Sequence, residues 1–302
     1  MKCLVTGGCG FIGTHLVESL VEDGHEVVIV DNLSCAESRS RPSPENAHLV
    51  VEDVRSQPGM EKLMKAEMPD VVFHLAAVVG GQHGLDDAFE DMSVNLGGSV
   101  SVLEAMRKAG VGHIVYTSSV AIYGKPVEMP MTEEHPRVPV TPYGVSKLGV
   151  HEYLKLFERE HGFRWSSLAL ANVYGIRGRY VTNIFFEQVL KGEPIRVFGD
   201  GEQERDFVFI DDVVDALRMM ADLRLSGEFN LGTGVGTSVN ELARLVQDIA
   251  GKEVPVVREE GRSFDVKYSR LSHEKLSWTT GGWMPRTTLR EGLAKIWRDV
   301  NE

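Results

Sequence analysis

Two short segments of this sequence contain side chains that can exchange a proton with a substrate. Tyr143 and Lys147 lie four residues apart in TPYGVSKLGVHEYL, and residues with this spacing share one face of a helix. Ser118 and Ser119 end the apolar run HIVYTSS. A neighbouring ammonium favours the ionised form of a phenol. Tyr143 could therefore accept a hydroxyl proton, while a serine hydroxyl binds the same substrate oxygen.

A glycine-rich string near the N-terminus has the spacing of a phosphate-binding loop. In TGGCGFIG, Gly7, Gly10 and Gly13 satisfy G-x-x-G-x-x-G. An apolar run precedes the string, and an amphipathic helix that opens with Phe11 and Ile12 follows it. Glycines let the backbone approach a pyrophosphate, and the helix N-terminus supplies N–H groups and a positive dipole. The alternative is a tight turn without a ligand.

Acidic residues at the ends of the next apolar runs indicate which dinucleotide such a loop would bind. Asp31 ends EVVIVD, where a carboxylate can bond both ribose hydroxyls of NAD and would repel the extra phosphate of NADP. Asp53 ends the third run and is placed to meet the adenine, although a plain turn is nearly as good an explanation. The remaining predicted NAD contacts are Asn32, Val54, Leu75, Ala76 and Ala77.

The elements that position these residues follow an alternating pattern. Short apolar runs alternate with helical segments, which predicts an α/β fold with a doubly wound parallel sheet. The predicted strands are 2–6, 26–31, 48–53, 70–77, 113–119 and 165–172, and the predicted helices are 12–23, 58–67, 86–109 and 143–161. The character changes after about residue 172. We therefore expect an NAD-binding Rossmann domain over 1–172 and a smaller substrate-binding α/β lobe over 173–302, with some segments returning to the first domain.

Composition and charge exclude several other classes of protein. The chain has 302 residues, of which 42% are hydrophobic and 25% charged, as in ordinary globular proteins. The net charge of −12 disfavours nucleic acid or an anionic membrane as the main partner. The three cysteines, Cys3, Cys9 and Cys35, have poor spacing for zinc and predict reduced thiols in a cytoplasm. We expect no metal, no secretion signal and no membrane-spanning segment.

Several segments together resemble the nucleotide-sugar epimerase/dehydratase branch of the extended short-chain dehydrogenases/reductases. The resemblance covers nearly the full length and rests on TGGCGFIG, HLAA, TSSVAIYG, YGVSK, NVYG and VFGDGEQERDFVFIDDV. It implies a tightly held NAD and a catalytic set of Ser119, Tyr143 and Lys147. Ser119, four residues before Tyr123, holds the family's Ser/Thr position, and Ser118 is the neighbour that could be confused with it. Ser118, Ser119 and Tyr143 are also expected to contact substrate.

The residues after Ser119 favour one reaction within this branch. In the family's 4,6-dehydratases an Asp-Glu pair follows the Ser/Thr, and glucuronate decarboxylases commonly have Glu at the second position. Here Val120 and Ala121 occupy these positions and cannot transfer protons. The cysteine used by 3,5-epimerases is also absent. The resemblance therefore implies 4-epimerisation of a UDP-hexose, in which a transient 4-keto sugar rotates before the hydride returns to its other face.

The second half of the chain matches the family's contacts to a nucleotide sugar. Arg205 and Arg262 match the arginines that bind the diphosphate, for which guanidinium forks are suited. Asn172 matches an asparagine that bonds a phosphate. Val197 and Phe198 lie where the family packs the nucleobase.

Two further positions bear on the ribose and the sugar. Asp265 matches an acid that bonds the nucleotide ribose. Seven residues after Arg262, at a position where a bulky residue disfavours N-acetyl sugars, this chain has Ser269. The resemblance therefore implies that UDP-GlcNAc and UDP-GalNAc could fit as well as UDP-Glc and UDP-Gal. His83, in AAVVGGQHG, is either a substrate contact or an ordinary loop histidine.

Other interpretations stay open at this point. The chain could be a nucleotide-sugar reductase or dehydrogenase with net redox, or an epimerase of UDP-glucuronate or of a GDP- or dTDP-sugar. A non-catalytic NAD-sensing or RNA-binding relative would keep the fold without the chemistry. In relatives, the helices matching 86–109 and 143–161 pair in a four-helix dimer interface, so we expect a homodimer. Leu154, Leu156 and Phe157 could instead belong to the core of one chain.

Overall fold

The computed structural model describes residues 1–35, 47–79, 87–261 and 266–301. Its strands within these ranges are β1 Lys2–Thr6, β2 Glu26–Asp31, β3 Ala47–Val51, β4 Val71–His74, β5 His113–Ser119, β6 Arg164–Leu170, β7 Asn172–Tyr174, β8 Ile195–Phe198, β9 Glu204–Arg205, β10 Phe207–Phe209, β11 Gly227–Leu231, β12 Thr237–Ser238, β13 Val256–Glu259 and β14 Tyr268–Ser269. Its α-helices there are α1 Phe11–Glu22, α2 Gln57–Glu67, α3 Ala88–Glu90, α4 Ser99–Ala109, α5 Pro142–His161, α6 Val181–Lys191, α7 Ile210–Asp222, α8 Val239–Ala250, α9 Glu274–Thr279 and α10 Leu289–Asn301. A π-helix, Asp91–Gly98, joins α3 to α4, and a 3₁₀ turn, Val120–Ile122, follows β5.

A central sheet of seven strands has the order β11-β6-β5-β4-β1-β2-β3. Strand β1 pairs in parallel with β2 and with β4, and further parallel pairs join β2 to β3 and β4 to β5. Strands that are neighbours in the sheet but distant in the chain are connected through helices, which is the doubly wound arrangement. The predicted α/β fold class is therefore confirmed.

The sheet is built from runs that are apolar on both faces. Strand β4 is buried along its whole length, as expected for a parallel strand covered by helices on both sides. A hydrophobic cluster joins strand residues such as Leu4 and Val72 to Met106 of α4 and Leu154 of α5. This packing fixes α5 beside the carboxyl end of β5, where the predicted proton-transfer residues lie.

Two compact units make up the chain, each assembled from three stretches. The first unit comprises 1–124, 137–169 and 214–229, and contains the glycine loop, the end of β5 and α5. The second comprises 125–136, 170–213 and 230–302, and within its described residues contains a three-stranded sheet of order β12-β9-β14. The predicted boundary at residue 172 stays a prediction. Among the described residues, no helix has the length and apolar character to cross a membrane.

Two predicted elements are subdivided in the structure. The helix predicted over 86–109 is divided in the structure by the π-helical segment. The spacing of apolar residues along a sequence does not reveal where a helix widens in this way. The strand predicted over 165–172 is interrupted at Ala171. There the chain changes hydrogen-bond partners, since Ala171 N–H donates to Leu231 and Asn172 N–H donates to Asp206.

Candidate active site

Helix α5 places Tyr143 and Lys147 one turn apart at its beginning. Pro142 opens the helix, and the N-cap Thr141 accepts the N–H of Gly144 at its Oγ1, at 3.1 Å. A proline and a threonine suit these positions because the first helical N–H groups have no partner within the helix. Lys147 Nζ lies 5.9 Å from the centre of the Tyr143 ring, so the structure brings the two side chains together.

The ammonium group of Lys147 lies in the interior of the first unit. Lys147 is 2% exposed, and its Nζ donates to the carbonyl oxygen of Thr117 at 2.9 Å. It also lies 4.8 Å from the centre of the Tyr116 ring. Burial lowers the pKa of Lys147 to about 7, because desolvation disfavours the charged form.

The two adjacent serines at the end of β5 have different surroundings. Ser119 is half-buried, and its Oγ accepts the N–H of Ala121 at 3.2 Å, which caps the 3₁₀ turn. Ser118 is buried, and its Oγ lies 2.8 Å from Nε2 of His151. Successive side chains of a strand point to opposite faces, which explains the difference. Ser118 therefore bonds within the unit's interior, whereas Ser119 is partly accessible.

A glycine lets the start of α5 touch the turn that follows Ser119. A methyl group at Gly144 would lie 2.4 Å from the carbonyl oxygen of Ala121. The backbones are so close here that only glycine fits at position 144. This contact places the segment after Ser119 directly against the residue that follows Tyr143.

The glycine loop contacts the segment after β4, in which cofactor contacts were also predicted. Gly7 has a φ of 69°, a conformation that glycine adopts without strain. A methyl group at Gly7 would lie 2.7 Å from the backbone nitrogen of Ala76. Leu75 N–H donates to the Thr6 carbonyl, and Ala76 N–H lies 3.3 Å from Thr6 Oγ1. Ala77, the next residue, is half-buried.

The beginning of α1 has the features of an anion site. The helix starts at Phe11, Ile12 and Gly13, its N-cap Gly10 offers no side-chain cap, and its first turn contains no acidic residue. The positive end of the helix dipole is therefore not compensated by a carboxylate of its own first turn. These features fit a dinucleotide pyrophosphate.

The carboxylate of Asp31 has acceptor capacity that fits a ribose. Its Oδ2 accepts the N–H of Cys9 at 3.0 Å, and its Oδ1 accepts the N–H of Leu33 at 2.8 Å. An ionised carboxylate can accept about four hydrogen bonds, so two ribose hydroxyls can still be bound.

Asp53 is already engaged by its own neighbours. Arg55 and Asn32 both donate to its carboxylate, and Arg55 Nη2 lies 2.8 Å from Oδ2. The hydrogen bond from Arg55 holds the pKa of Asp53 well below its usual range. Val54, next to it, is buried, and its side chain would meet any methyl group added at Gly98. A contact from Asp53 to adenine stays a prediction.

In the second unit, Arg205 and Ser269 lie opposite each other. Strand β9 pairs in parallel with β14 so that Arg205 is the partner of Ser269, which is buried. Arg205 Nη1 donates to the carbonyl oxygens of Glu204 and Val266, at 2.8 and 2.7 Å. These bonds fix the guanidinium close to the small residue at the predicted sugar-size position.

The other predicted substrate contacts of this unit occupy strand ends. Val197 is buried in β8, whereas Phe198 at its end is 38% exposed, as an aromatic side chain that binds a base would be. Asn172 begins β7 and is half-buried. Three predicted residues lie outside the described ranges, namely His83, Arg262 and Asp265.

Three polar residues near the site, of which Asn95 and His151 are buried and Glu228 is half-buried, were not found by sequence reasoning. Asn95 of the π-helix bonds both backbone groups of Val78, at 2.9 and 3.0 Å, and its Nδ2 donates to Ser146. His151 and Glu228 bond to each other beside Ser118. His151 lies four residues after Lys147, so the spacing that revealed Lys147 could also have indicated His151. Glu228 comes from a distant strand and had no local signal.

Comparisons with known proteins identify the family of the chain. Residues 3–232 match the model of the NAD dependent epimerase/dehydratase family. A UDP-glucose 4-epimerase of Mycolicibacterium smegmatis is 38% identical over 305 residues, covering 98% of this chain and 97% of that protein.

Two solved structures cover 100% of this chain and 99% of their own. One is a UDP-glucose 4-epimerase of Thermotoga maritima with UDP-glucose, at 37% identity and a TM-score of 0.93. The other is a UDP-glucose 4-epimerase of Thermus thermophilus in complex with NAD, at 35% identity and a TM-score of 0.92. The chain belongs to the NAD dependent epimerase/dehydratase family.

Proposed function

We propose that this chain is an NAD-dependent 4-epimerase of UDP-hexoses, with UDP-glucose and UDP-galactose as its substrate pair. The observation that carries the proposal is the 3₁₀ turn Val120–Ile122, which contains no acid or base next to Ser119. Elimination or decarboxylation would need such a group, whereas epimerisation does not. The similarity to UDP-glucose 4-epimerases solved with UDP-glucose and with NAD supports this substrate and this cofactor.

The chemistry of this chain's own residues is a reversible proton transfer at one oxygen. Tyr143 accepts the proton of the hydroxyl on carbon 4, and Ser119 binds the same oxygen and can bridge it to Tyr143. Bound NAD supplies a reversible hydride acceptor for that carbon. Lys147 favours the ionised phenol by its positive charge. No further proton-transfer group is needed, because the oxygen that loses the proton regains it from Tyr143 once the sugar has turned.

The proposed contacts divide between cofactor and substrate. The proposed NAD contacts are Gly7, Gly10, Phe11, Ile12, Gly13, Asp31, Asn32, Asp53, Val54, Leu75, Ala76, Ala77, Tyr143 and Lys147. The proposed substrate contacts are Ser118, Ser119, Tyr143, Asn172, Val197, Phe198, Arg205, Arg262, Asp265 and Ser269. Of the two serines, the half-buried Ser119 is the better supported, because Ser118 bonds to His151.

Proton NMR of the purified protein tests the proposal directly. The protein is incubated in turn with UDP-glucose, UDP-GlcNAc and UDP-glucuronate, without added cofactor. We expect the carbon-4 epimer of UDP-glucose to appear, which would also demonstrate retained NAD, and we expect Tyr143→Phe to form none. If no epimer forms in any of the three even after NAD is added, the proposal is wrong, and GDP- and dTDP-sugars and a net reductase become the next candidates.

We further propose that the protein is a homodimer. Large apolar side chains are exposed on the segment that contains α3 and the π-helix, among them Phe89 at 74%, and on α5, among them Val145 and Leu156. Leu154 and Phe157 are buried, so they belong to the core of one chain. Analytical ultracentrifugation should find a dimer for the natural protein and a monomer for Leu156→Arg. A monomeric natural protein at micromolar concentration would contradict the dimer.

We also propose a cytoplasmic location. Cys3 and Cys9 are buried and Cys35 is exposed, and all three are present as thiols. Cysteines held as thiols are typical of reducing compartments. Fractionation of cells that express the tagged protein would test the location.

A further inference from the structure

A second cluster of polar side chains lies behind Ser119, and the proposed proton transfer does not use it. Ser118 Oγ lies 2.8 Å from Nε2 of His151, and Nδ1 of His151 lies 3.0 Å from Oε1 of Glu228. Ser118 and His151 are almost fully buried, and Glu228 is mostly buried. The three residues come from β5, α5 and β11 and all belong to the first compact unit. The cluster therefore joins three elements through side-chain hydrogen bonds.

The hydrogen bonds determine how the ring of His151 is protonated. A carboxylate can only accept, so the 3.0 Å bond to Glu228 assigns the ring proton to Nδ1, whereas the contact of Arg137 Nη1 with the same nitrogen is longer, at 3.5 Å. Burial lowers the pKa of His151, although Glu228 opposes this, and burial thus favours the neutral ring. Its Nε2 is then an acceptor, and Ser118 donates its hydroxyl proton to it.

A second arm of the cluster reaches the other side of Ser119. Arg137 forms an ion pair with Glu228, and its guanidinium carbon lies 5.9 Å from the centre of the Tyr123 ring. Tyr123 closes the 3₁₀ turn, because its N–H donates to the carbonyl of Val120 at 3.1 Å. Ser118 is linked to the carboxylate of Glu228 through His151, and Tyr123 is linked to it through Arg137. Ser118 precedes Ser119 in the chain and Tyr123 follows it, so Ser119 lies between two linked residues.

We propose that His151 and Glu228 are positioning residues for the reaction, which hold Ser118 and Tyr123 and thereby the backbone that carries Ser119. The inference rests on the proposed function, because the position of Ser119 matters only if its hydroxyl meets the substrate. His151 lies one turn beyond Lys147, so the same bonds fix α5 against β5. Misplacing a reacting group by about 1 Å can cost about 100-fold in rate.

Substitutions that separate hydrogen bonding from packing test the proposal. His151→Leu removes both hydrogen bonds, and we expect kcat to fall about 10-fold or more with KM changed less than about 2-fold. His151→Gln offers one donor and one acceptor with nearly the spacing of the two ring nitrogens, so we expect it to restore kcat to within about 3-fold. Ser118→Ala, a small change that leaves packing intact, should lower kcat in the same way. His161→Leu, the same substitution at an exposed position of α5, is the matched control and should leave kcat unchanged.

An NMR measurement tests the positioning role independently of enzymatic activity. Nitrogen-15 NMR should show the Nδ1–H tautomer for His151 in the natural protein and its loss in Glu228→Leu, which has no acceptor for that proton. The amide resonances of Ser119 and Ala121 should shift in His151→Leu and in Ser118→Ala but stay in place in His161→Leu. These shifts are observable even if no UDP-hexose is epimerised. Failure of the proposed function can therefore be distinguished from failure of the positioning role. Unmoved amide resonances, or a His151→Gln variant as impaired as Ser118→Ala and His151→Leu, would overturn the positioning role.

Discussion

At the scale of single residues, Lys147 shows how a functional group can be costly to the fold. Its ammonium is removed from water and bonds a backbone carbonyl, and none of the ion pairs among the described residues includes it. Desolvation without a carboxylate partner is the reason that its pKa falls to about 7. A group of this kind destabilises the folded state and persists where the chemistry needs it.

Replacing Lys147 with methionine should therefore stabilise the protein while removing its activity. We expect the free energy of unfolding to rise by about 2 kcal/mol at pH 7, and kcat to fall by about 100-fold or more. An unfolded lysine has a pKa of about 10.4, so between pH 7 and pH 10 the unfolded state binds more protons than the folded state. The natural protein thus gains stability as pH rises, and the advantage of the variant should shrink by about 2 kcal/mol between pH 7 and pH 9.

Urea denaturation at the two pH values measures this difference. A variant that is less stable than the natural protein at pH 7 would show that the bonds of Lys147 outweigh its burial.

The size of the side chain at position 269 should select between sugars. Ser269 is small, buried and opposite Arg205, so a tyrosine there would occupy space beside the predicted sugar. We expect Ser269→Tyr to lower turnover of UDP-GlcNAc about 10-fold or more relative to UDP-glucose. Initial rates with both substrates, measured on one preparation, provide an internal control for folding. Equal losses on both substrates would contradict a role in selecting the sugar.

At the scale of elements, the reacting groups depend on how α5 meets the turn after β5. Neither element carries the site alone, since Tyr143 lies on the helix and Ser119 on the strand. Gly144 allows the contact, because no side chain fits between its Cα and the carbonyl of Ala121.

Gly144→Ala should consequently separate the two reacting groups. The added methyl would overlap the carbonyl oxygen of Ala121 at 2.4 Å, so the start of α5 has to shift. We expect kcat to fall about 10- to 100-fold, with a smaller change in KM, because orientation is lost rather than affinity. Gly149→Ala is the control on the same helix, where the nearest atoms to the methyl would be those of the Leu96 side chain, the closest at 3.1 Å. Similar losses in both variants would mean that α5 is sensitive to any added methyl.

The parts of the site that the sequence revealed are those with local spacing. Tyr143 and Lys147 are one helical turn apart, and the glycine string is followed at once by its helix, so both were predictable from short windows. Glu228 meets His151 only after β11 has paired at the far edge of the sheet, which no window contains. The low pKa of Lys147 was likewise not predicted, because it depends on how completely other elements bury the ammonium.

At the scale of the whole molecule, buried histidines make the fold sensitive to acid. Burial lowers the pKa of His74 to about 3 and that of His113 to about 4. His74 bonds Thr6 and Ser99 through its two ring nitrogens, and His113 lies at the opposite end of the sheet strands. Both stay neutral in the folded protein at pH values where an unfolded histidine is protonated.

The free energy of unfolding should therefore decrease as the pH falls below about 6.5. The unfolded state binds the additional protons, so each of the two histidines should cost about 2 kcal/mol at pH 5 relative to pH 7. Denaturant titrations at several pH values measure how steeply the free energy of unfolding changes with pH. His113→Gln should reduce this slope by the contribution of about one bound proton. A stability that is constant between pH 7 and pH 5 would contradict the neutral state of these rings.

The hydrogen bonds of Asp31 have a consequence for how long a cofactor stays bound. This carboxylate accepts the N–H of Cys9 in the glycine loop and the N–H of Leu33 after β2. The conformation of the glycine loop is therefore fixed by hydrogen bonds within the chain. A preorganised loop loses little conformational entropy when a ligand arrives, so more of the contact energy remains available for retention. Slow release would suit an isomerase, which regenerates its oxidant in every cycle, and would be a handicap for an enzyme that must exchange a spent cofactor after each turnover.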